Sequence, residues 1–488
     1  MLRQIAVLNP LKAVLIGAAR GEENQRRFGT ALLALGFVAD KSSRWLIFGH
    51  TRRLCVICLV LVASIYKENV VLRLRQVVAA LLVAGGMVSP LSQAAEQGFE
   101  AWLSDFNREA QAQGISAASL QAAFANAYPL ERVVELDQSQ PEFIQTFMAY
   151  LGKRVTSRQV ERGQALLQEH RELLQRVEQK YGVPPAVLMA FWGLETNYGQ
   201  ILGNFSTPRA LATLAYEGRR HVFFRNQLLD ALRILDAGHV APADMTGSWA
   251  GAMGHMQFMP STFLAYAEDG DGDGKINVWK SIPDAMYSAG HYLQSVGWQR
   301  NEPIAVEVSL PEGFAWQQAG ASQKRSIGQW QSMGVRAASQ GTLPAADRDA
   351  AIILPQGWRG PAFMVFDNFQ VVMHWNRSTN YALTVAHLAN RFLGTPALRA
   401  STSAEQEPIS MEAIKRLQQQ LTEQGFDTGG YDGLPGTRTQ NAIRGYQLAH
   451  DLPADGYASP ELILHVAKSQ AAQHADTELI PGFPGTQP

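Results

Sequence analysis

The stretch Val183-Pro-Pro-Ala-Val-Leu-Met-Ala-Phe-Trp-Gly-Leu-Glu-Thr-Asn-Tyr-Gly199 decides how this chain is read. Pro184 and Pro185 suit the opening of a helix, where a missing N–H costs nothing. Glu195 follows Leu188 by seven residues, with Phe191 and Trp192 between, so all four fall on one helical face. A carboxylate on an otherwise apolar stripe is partly desolvated, which favours its protonated form and raises its pKa. That is the property a general acid needs near neutral pH. A buried glutamate satisfied by an ion pair would show the same periodicity, and spacing alone leaves both readings open.

Outward from this helix, the chain from Phe99 to about Phe392 is dense in helical periodicity. Leu166, Leu167, Leu173, Leu174 and Val177 form one stripe of an amphipathic helix that Gly182 should end. Further helices are expected at Phe224–Ala237 and Asp284–Val296. Between Pro303 and Val372 short apolar runs, such as Ala351–Leu354 and Ala362–Phe366, alternate with Gly and Pro, which reads as loops and a small sheet. The expected fold is mainly α, a helical body over residues 95–393 with a small mixed α/β insertion. Residues 394–410 are polar with Pro toward both ends and read as a linker. Residues 411–468 read as a compact module. Residues 469–488 hold three prolines and no periodicity, and a disordered tail is expected there.

Apolar residues are 46% of the 488 and charged residues 17%, which excludes the disordered class. The net charge of -1 hides an asymmetry. Residues 1–94 carry 12 Lys/Arg against 4 Asp/Glu, leaving 30 against 39 and a net charge of -9 for the rest. Such an acidic body excludes a nucleic-acid binder, which needs a basic face for phosphates. Residues 70–94 read as an export signal: Arg73 and Arg75, an apolar run from Val77 to Val88, and small residues at Ser92 and Ala94 before a cut. The run has 12 residues, short of the roughly 20 that a spanning helix needs. No cysteine stands at the cut, so no stable membrane anchor is expected. A signal that begins near residue 70 makes residues 1–69 doubtful, either an over-extended reading frame or a true extension with an apolar patch at Leu54–Tyr66. Both cysteines, Cys55 and Cys58, lie in that part. With it removed, no disulfide, thiolate metal site or cysteine nucleophile remains.

Glu195 keeps telling company. Downstream come Glu217-Gly-Arg-Arg-His221, Gly247-Ser-Trp-Ala-Gly-Ala-Met-Gly-His-Met-Gln-Phe-Met-Pro-Ser-Thr-Phe263 and His374-Trp-Asn-Arg-Ser-Thr-Asn-Tyr381. Their small residues let a substrate approach the backbone. Ser248, Gln257 and Asn376 offer hydroxyl and amide partners, and Trp249, Phe258, Trp375 and Tyr381 offer flat faces. That mixture suits a sugar, which has hydroxyls at its rim and an apolar face for stacking.

ETNYG at 195–199, GSWAGAMGHMQFMPS at 247–261, the acidic loop that follows and WNRSTNY at 375–381 together resemble the lytic murein transglycosylase B family. The likeness covers about Phe99–Phe392, with the motifs in the family's order. It implies a lysozyme-like helical fold, periplasmic work on peptidoglycan glycan strands, and chemistry that needs no cofactor. It also implies that Glu195 does both acid and base work. By the same resemblance Ser248, Gln257, Arg219, Arg220, Tyr292, Asn376 and Tyr381 fall on saccharide-contacting positions, and Phe258 joins the substrate-binding candidates as a stacking face. Phe223 and Trp375 stand where the best-known members have tyrosines, so stacking survives there and a hydroxyl role is in doubt. The implied reaction is non-hydrolytic. Glu195 protonates the glycosidic oxygen between N-acetylmuramic acid and N-acetylglucosamine, then as carboxylate takes the C6 hydroxyl proton while a 1,6-anhydro ring closes. Ordinary glycosidases generally use two carboxylates about 5–9 Å apart; Glu217 and Glu268 are the nearest candidates here, and neither sits in a motif that suggests it.

The loop Asp269-Gly-Asp-Gly-Asp-Gly-Lys-Ile-Asn-Val-Trp279 matches the first half of a calcium-binding EF-hand. Asp269, Asp271 and Asp273 fall on ligand positions, and Lys275 would give its carbonyl. Lys280 stands where a closing Glu belongs, so Asp284 is the expected closing ligand of a lengthened loop. A weak, structural Ca2+ is expected, against a plain acidic surface turn. The segment Leu417–Gln447, with its turn Tyr431-Asp-Gly-Leu-Pro-Gly-Thr-Arg-Thr439, is similar to small three-helix peptidoglycan-binding domains. Asp432 and the glycines build that turn, and Thr437 is expected to cap the next helix. The module would tether the enzyme to its polymer. Proteins of wall synthesis or division are further candidate partners. The rival readings are a hydrolytic muramidase, a wall-binding scaffold without turnover, and a calcium sensor; an intact ETNYG and a single imperfect calcium loop disfavour the last two.

Overall fold

The computed structural model describes residues 37–39, 45–47, 90–125, 127–139, 143–338, 343–398 and 408–478. The chain divides into two compact units, 1–93 and 94–488. Of the first, an antiparallel strand pair Phe37–Ala39 with Trp45–Ile47 is described, and the helix Pro90–Ala112 begins in it. The rest of the doubtful extension, its two cysteines and most of the signal-like segment lie outside the described residues.

The second unit is mainly helical with one small sheet. The Glu195 helix, Pro185–Thr196, is its centre. Residues Ala186 to Gly193 are all buried, because Ser157–Glu169, Arg171–Tyr181, Ile282–Ser295 and Thr379–Phe392 surround it. The one apolar face expected from spacing is therefore a helix buried all round, as its unbroken apolar run from Ala186 allows. Before it, the single amphipathic helix expected from the leucine stripe is two. His170 (φ −100°, ψ 20°) divides Ser157–Glu169 from Arg171–Tyr181, leaving Leu173, Leu174 and Val177 fully buried and Leu166 and Leu167 half-buried. Gly182 ends the second as expected, in the left-handed region at φ 76°. The other two expected helices are His221–Asp236 and Ile282–Ser295.

A second core gathers the helices Pro90–Ala112, Ala117–Phe124, Thr207–Glu217 and His221–Asp236 around Phe99, Phe106, Leu214, Phe224 and Leu232. The insertion holds a five-stranded antiparallel sheet, in the order Arg325–Ser326, Asp349–Ile353, Ala362–Val365, Ala305–Ser309, Arg336–Ala337. The runs Ala350–Ile353 and Ala362–Val365 are apolar without alternation because both faces are covered. Ala351, Ile353, Phe363 and Val365 face the Glu195 core, while Ala350, Ile352, Ala362 and Met364 face a separate core with Trp330.

The presumed linker ends in structure: Ile409–Ser410 pairs antiparallel with Phe143–Ile144. The C-terminal module has three helices, Met411–Glu423, Thr437–Ala449 and Pro460–Glu478, closing on Ile414, Leu417, Leu421, Ile443, Tyr446 and Val466. Its last helix runs ten residues past Lys468, into the segment expected to be a tail, and the Ser469–Glu478 run has no proline to stop it. Residues 479–488 lie outside the described residues. Thr437 is not the cap: Gly436 is, without a side-chain bond. Asp432 does build the turn, accepting from Leu434 N at 2.8 Å and Gln418 Nε2 at 2.9 Å. Among the described residues no helix is long and apolar enough to cross a membrane.

Candidate active site

Glu195 sits in the final turn of its helix. The chain leaves the helix through three consecutive left-handed residues, Asn197 (φ 50°), Tyr198 (φ 58°) and Gly199 (φ 78°). Asparagine tolerates this region, and Tyr198 is held in it by its hydroxyl, which donates to Gln159 O at 2.7 Å. Only glycine fits at 199, where a Cβ would lie 2.4 Å from His255 Cε1.

One oxygen of Glu195 accepts two hydrogen bonds, from Trp375 Nε1 at 3.0 Å and from the Tyr381 hydroxyl at 2.5 Å. Trp375 ends the helix Asp367–Trp375 and Tyr381 lies in the first turn of Thr379–Phe392, so the short connection between them delivers both donors. Around Trp375 stand Phe191 at 4.4 Å, Tyr292 at 5.1 Å and Phe258 at 5.4 Å between ring centres, with Tyr266 edge-on to Tyr292 at 5.0 Å. Burial pushes Glu195 up to about 7, against the downward pull of the Tyr381 and Trp375 hydrogen bonds. Tyr381 is in turn held well above its ordinary value by burial and by the Glu195 carboxylate. Glu195 is thus protonated or ionised with little bias near neutral pH. At 375 the indole N–H supplies a donor to the carboxylate besides a stacking face.

Phe258, Gln257 and Ser248 come from the loop 247–258, which is folded by bridges between Gly247 and Met253 and between Met253 and Phe258. Met253 belongs to the second core and Phe258 to the Glu195 core, so this loop joins the two. Ser248 Oγ accepts from Ala252 N at 3.0 Å, and Gln257 Nε2 donates to Leu202 O and Gly254 O at 3.1 and 3.0 Å. Asn376 is exposed just past the end of the Trp375 helix. Arg219 donates to Asp137 O at 2.9 Å, and the Arg220 guanidinium lies over Phe224 and Phe223 at 4.9 and 5.5 Å. Among the described residues no contact links Arg219, Arg220 or Phe223 to Glu195. Spacing also gave no hint of Tyr150. Burial raises its hydroxyl first, Arg154 opposes, and Glu195 adds to the rise, which places it in the glutamate's field.

Neither candidate second carboxylate meets Glu195. Glu217 is exposed. Glu268 is claimed by Lys180 Nζ at 2.8 Å, the Tyr181 hydroxyl and His291 Nδ1 at 3.3 Å. Burial pushes its carboxyl up, and Lys180 and Tyr181 together with His291 hold it below the usual range.

In the acidic loop, Asp269, Asp271 and Asp273 each bring a carboxylate oxygen within 4.8 Å of the others, all exposed. Three convergent carboxylate oxygens fit a hard divalent cation. The amide of Gly274, with those of Gly272 and Asp273, holds Asp269 below the ordinary range. Lys275 joins by its amide, which donates to Asp273 Oδ1 at 2.8 Å. Asp284, the expected closing ligand, is joined to the same loop. It is buried, and its two oxygens accept from Gly270 N at 2.8 Å and Asn277 N at 2.6 Å, bracing the loop from inside. Burial pushes its carboxyl up despite those bonds.

Residues 98–390 match the transglycosylase SLT domain, and residues 410–463 match a putative peptidoglycan-binding domain. The membrane-bound lytic murein transglycosylase B of Escherichia coli (strain K12) is 30% identical over 290 residues, covering 56% of this chain and 78% of that one. SltB3 from Pseudomonas aeruginosa, solved in complex with NAG-NAM-pentapeptide, is 42% identical with a TM-score of 0.73, covering 75% of this chain and 99% of that one. A second SltB3 structure, with NAG-anhNAM-pentapeptide, superposes at 0.71 with 42% identity, covering 76% and 99%. The E. coli lytic transglycosylase Slt35 in complex with calcium is 28% identical with a TM-score of 0.52, covering 63% and 98%. With its Glu195 site, its transglycosylase SLT domain and its C-terminal module, the chain belongs to the lytic transglycosylase family of peptidoglycan-cleaving enzymes.

Proposed function

We propose that this lytic transglycosylase works in the periplasm and cleaves the β-1,4 bond between N-acetylmuramic acid and N-acetylglucosamine without water, leaving 1,6-anhydromuramoyl ends. The observation that carries the reading is a carboxylic acid raised to about 7 in an aromatic cradle, with no second carboxylate in contact with it among the described residues. Protonated Glu195 gives its proton to the glycosidic oxygen as the C1–O bond breaks. The resulting carboxylate then takes the proton of the muramoyl C6 hydroxyl, whose oxygen bonds to C1. The proton count closes on one residue, and Glu195 is returned protonated. Tyr381 and Trp375 stabilise the carboxylate between the two transfers, and the rings about Trp375 offer stacking faces while keeping water away. Ser248 and Gln257 shape the loop wall beside Phe258, and Asn376 lies exposed past Trp375, where a sugar hydroxyl could meet it. Arg219, Arg220 and Phe223 would contact a longer strand away from the scissile bond.

A structural Ca2+ at Asp269, Asp271 and Asp273, with the Lys275 carbonyl and Asp284 completing the set, is part of the proposal. It would neutralise the mutual repulsion of the carboxylates and stiffen the loop that Asp284 braces. The SltB3 complexes with glycan-peptides and the Slt35 complex with calcium support both parts of the reading. The test is borohydride treatment of the products from digested sacculi. Anhydro ends resist reduction, and products that take up hydride would instead identify a muramidase.

A further inference from the structure

His255 takes no part in those proton transfers, yet both flanks of Glu195 are fastened to it. Its Nδ1 lies 3.0 Å from Nε1 of Trp192, three residues before Glu195 on the same helix. An indole N–H can only donate, so Nδ1 must carry a lone pair and the ring proton sits on Nε2. The His255 carbonyl accepts from Thr196 Oγ1 at 2.9 Å, on the residue after Glu195. Thr196 Oγ1 also accepts from Gly199 N at 3.0 Å, and Gly199 packs directly against the imidazole. The His255 amide is itself anchored, donating to Val278 O at 2.9 Å.

We propose that His255 is a positioning residue for Glu195: its neutral imidazole fixes the end of the catalytic helix, and protonation at Nδ1 releases it. The inference rests on the transglycosylase reading of Glu195. A protonated Nδ1 would set N–H against N–H, with no acceptor between. Burial also pushes the imidazole below its ordinary value, so the neutral form holds to more acidic pH than in a free histidine. The other titratable and charged groups about this junction are few. His170 packs its ring 5.7 Å from that of Trp192 and has Glu169 at 3.9 Å. Tyr198 lies 6.0 Å from Trp192 with Arg162 over its ring, and beyond Val278 Lys280 is paired with Asp244.

The test is kcat and KM on soluble glycan strands across pH for wild type, His255→Gln, His255→Ala, Trp192→Phe and His170→Gln. Wild-type kcat should fall on the acid side as His255 gains a proton and on the alkaline side as Glu195 loses one. The glutamine oxygen can accept from Trp192 and does not titrate, so His255→Gln should keep most of the neutral-pH rate and lose the acid-side fall. His255→Ala should lower kcat by up to about 100-fold, the scale of a misplaced catalytic group, with KM little changed. Trp192→Phe removes the donor and should flatten the acid side too, and His170→Gln should keep it. If the alanine variant does not fold, His255→Gln and Trp192→Phe decide. An acid-side fall that survives His255→Gln, or that vanishes with His170→Gln, overturns the inference. If wild type forms no anhydro ends at neutral pH, it is the transglycosylase reading that falls.

Discussion

On the Glu195 carboxyl, burial and hydrogen bonding pull in opposite directions, and burial wins. Because the Tyr381 bond favours the charged form, Tyr381→Phe should move the alkaline fall of kcat to higher pH while lowering kcat, as a pH–rate profile would show. An alkaline limb that stays put would mean the bond does not tune the acid. Stability carries the same signature with a definite sign. The folded pKa lies above the unfolded value, so stability is complete below about 4.5 and is lost as pH rises through about 7. At 1.36 kcal/mol per pKa unit the ionised group costs about 3 kcal/mol. Glu195→Gln should therefore melt above wild type at alkaline pH, and the two curves should converge in acid. Spacing in the sequence exposed Glu195 as an acid on an apolar stripe. Its donors were quoted only as sugar-stacking faces, because they come from 180 and 186 residues away and meet it only in the fold.

Helices and strands were legible wherever period and punctuation agreed, as at Gly182 and along the apolar runs 351–354 and 362–366. The break at His170 was not, since no Gly or Pro marks it and the leucine stripe continues across it. Nor were the two backbone amides that Asp284 accepts from, which only the folded loop brings to it. The wall beside the active site depends on close backbone approach at Gly203 (φ 91°), where a Cβ would lie 2.1 Å from Gly247 O. Gly203→Ala should displace the Ser248 loop, lowering kcat and costing about 1–3 kcal/mol of stability, the usual scale of such strain; wild-type kinetics and melting would contradict the packing. For the acidic loop, Ca2+ should raise the unfolding temperature of wild type and do so less for Asp271→Asn. An equal shift in both would place the ion elsewhere.

Across the whole second unit, the C-terminal module is docked rather than dangling. Asp455, between its second and third helices, accepts from Trp358 N in the insertion at 2.9 Å, as well as from Gln447 Nε2 and Tyr457 N at 2.7 and 2.9 Å. The Trp358 ring lies 5.9 Å from Trp316, and Gln356 Oε1 beside it accepts from Met148 N at 3.0 Å, tying insertion to body. Composition drew the module's outline, but nothing in it pairs residues 97 apart. Asp455→Ala should leave the half-buried Trp358 amide unpaired, at about 1–3 kcal/mol. It should loosen the docking and increase proteolytic nicking between residues 394 and 410; unchanged resistance would argue against the lock. The central claim is that one glutamate both gives and takes the proton, with no water in between. It is tested most directly by digesting sacculi in heavy-oxygen water with wild type and Glu195→Gln and weighing the muropeptides. The account predicts wild-type products one water lighter than hydrolysed ends and free of heavy oxygen, and none from the variant. Heavy oxygen at the newly formed muramoyl ends would contradict it.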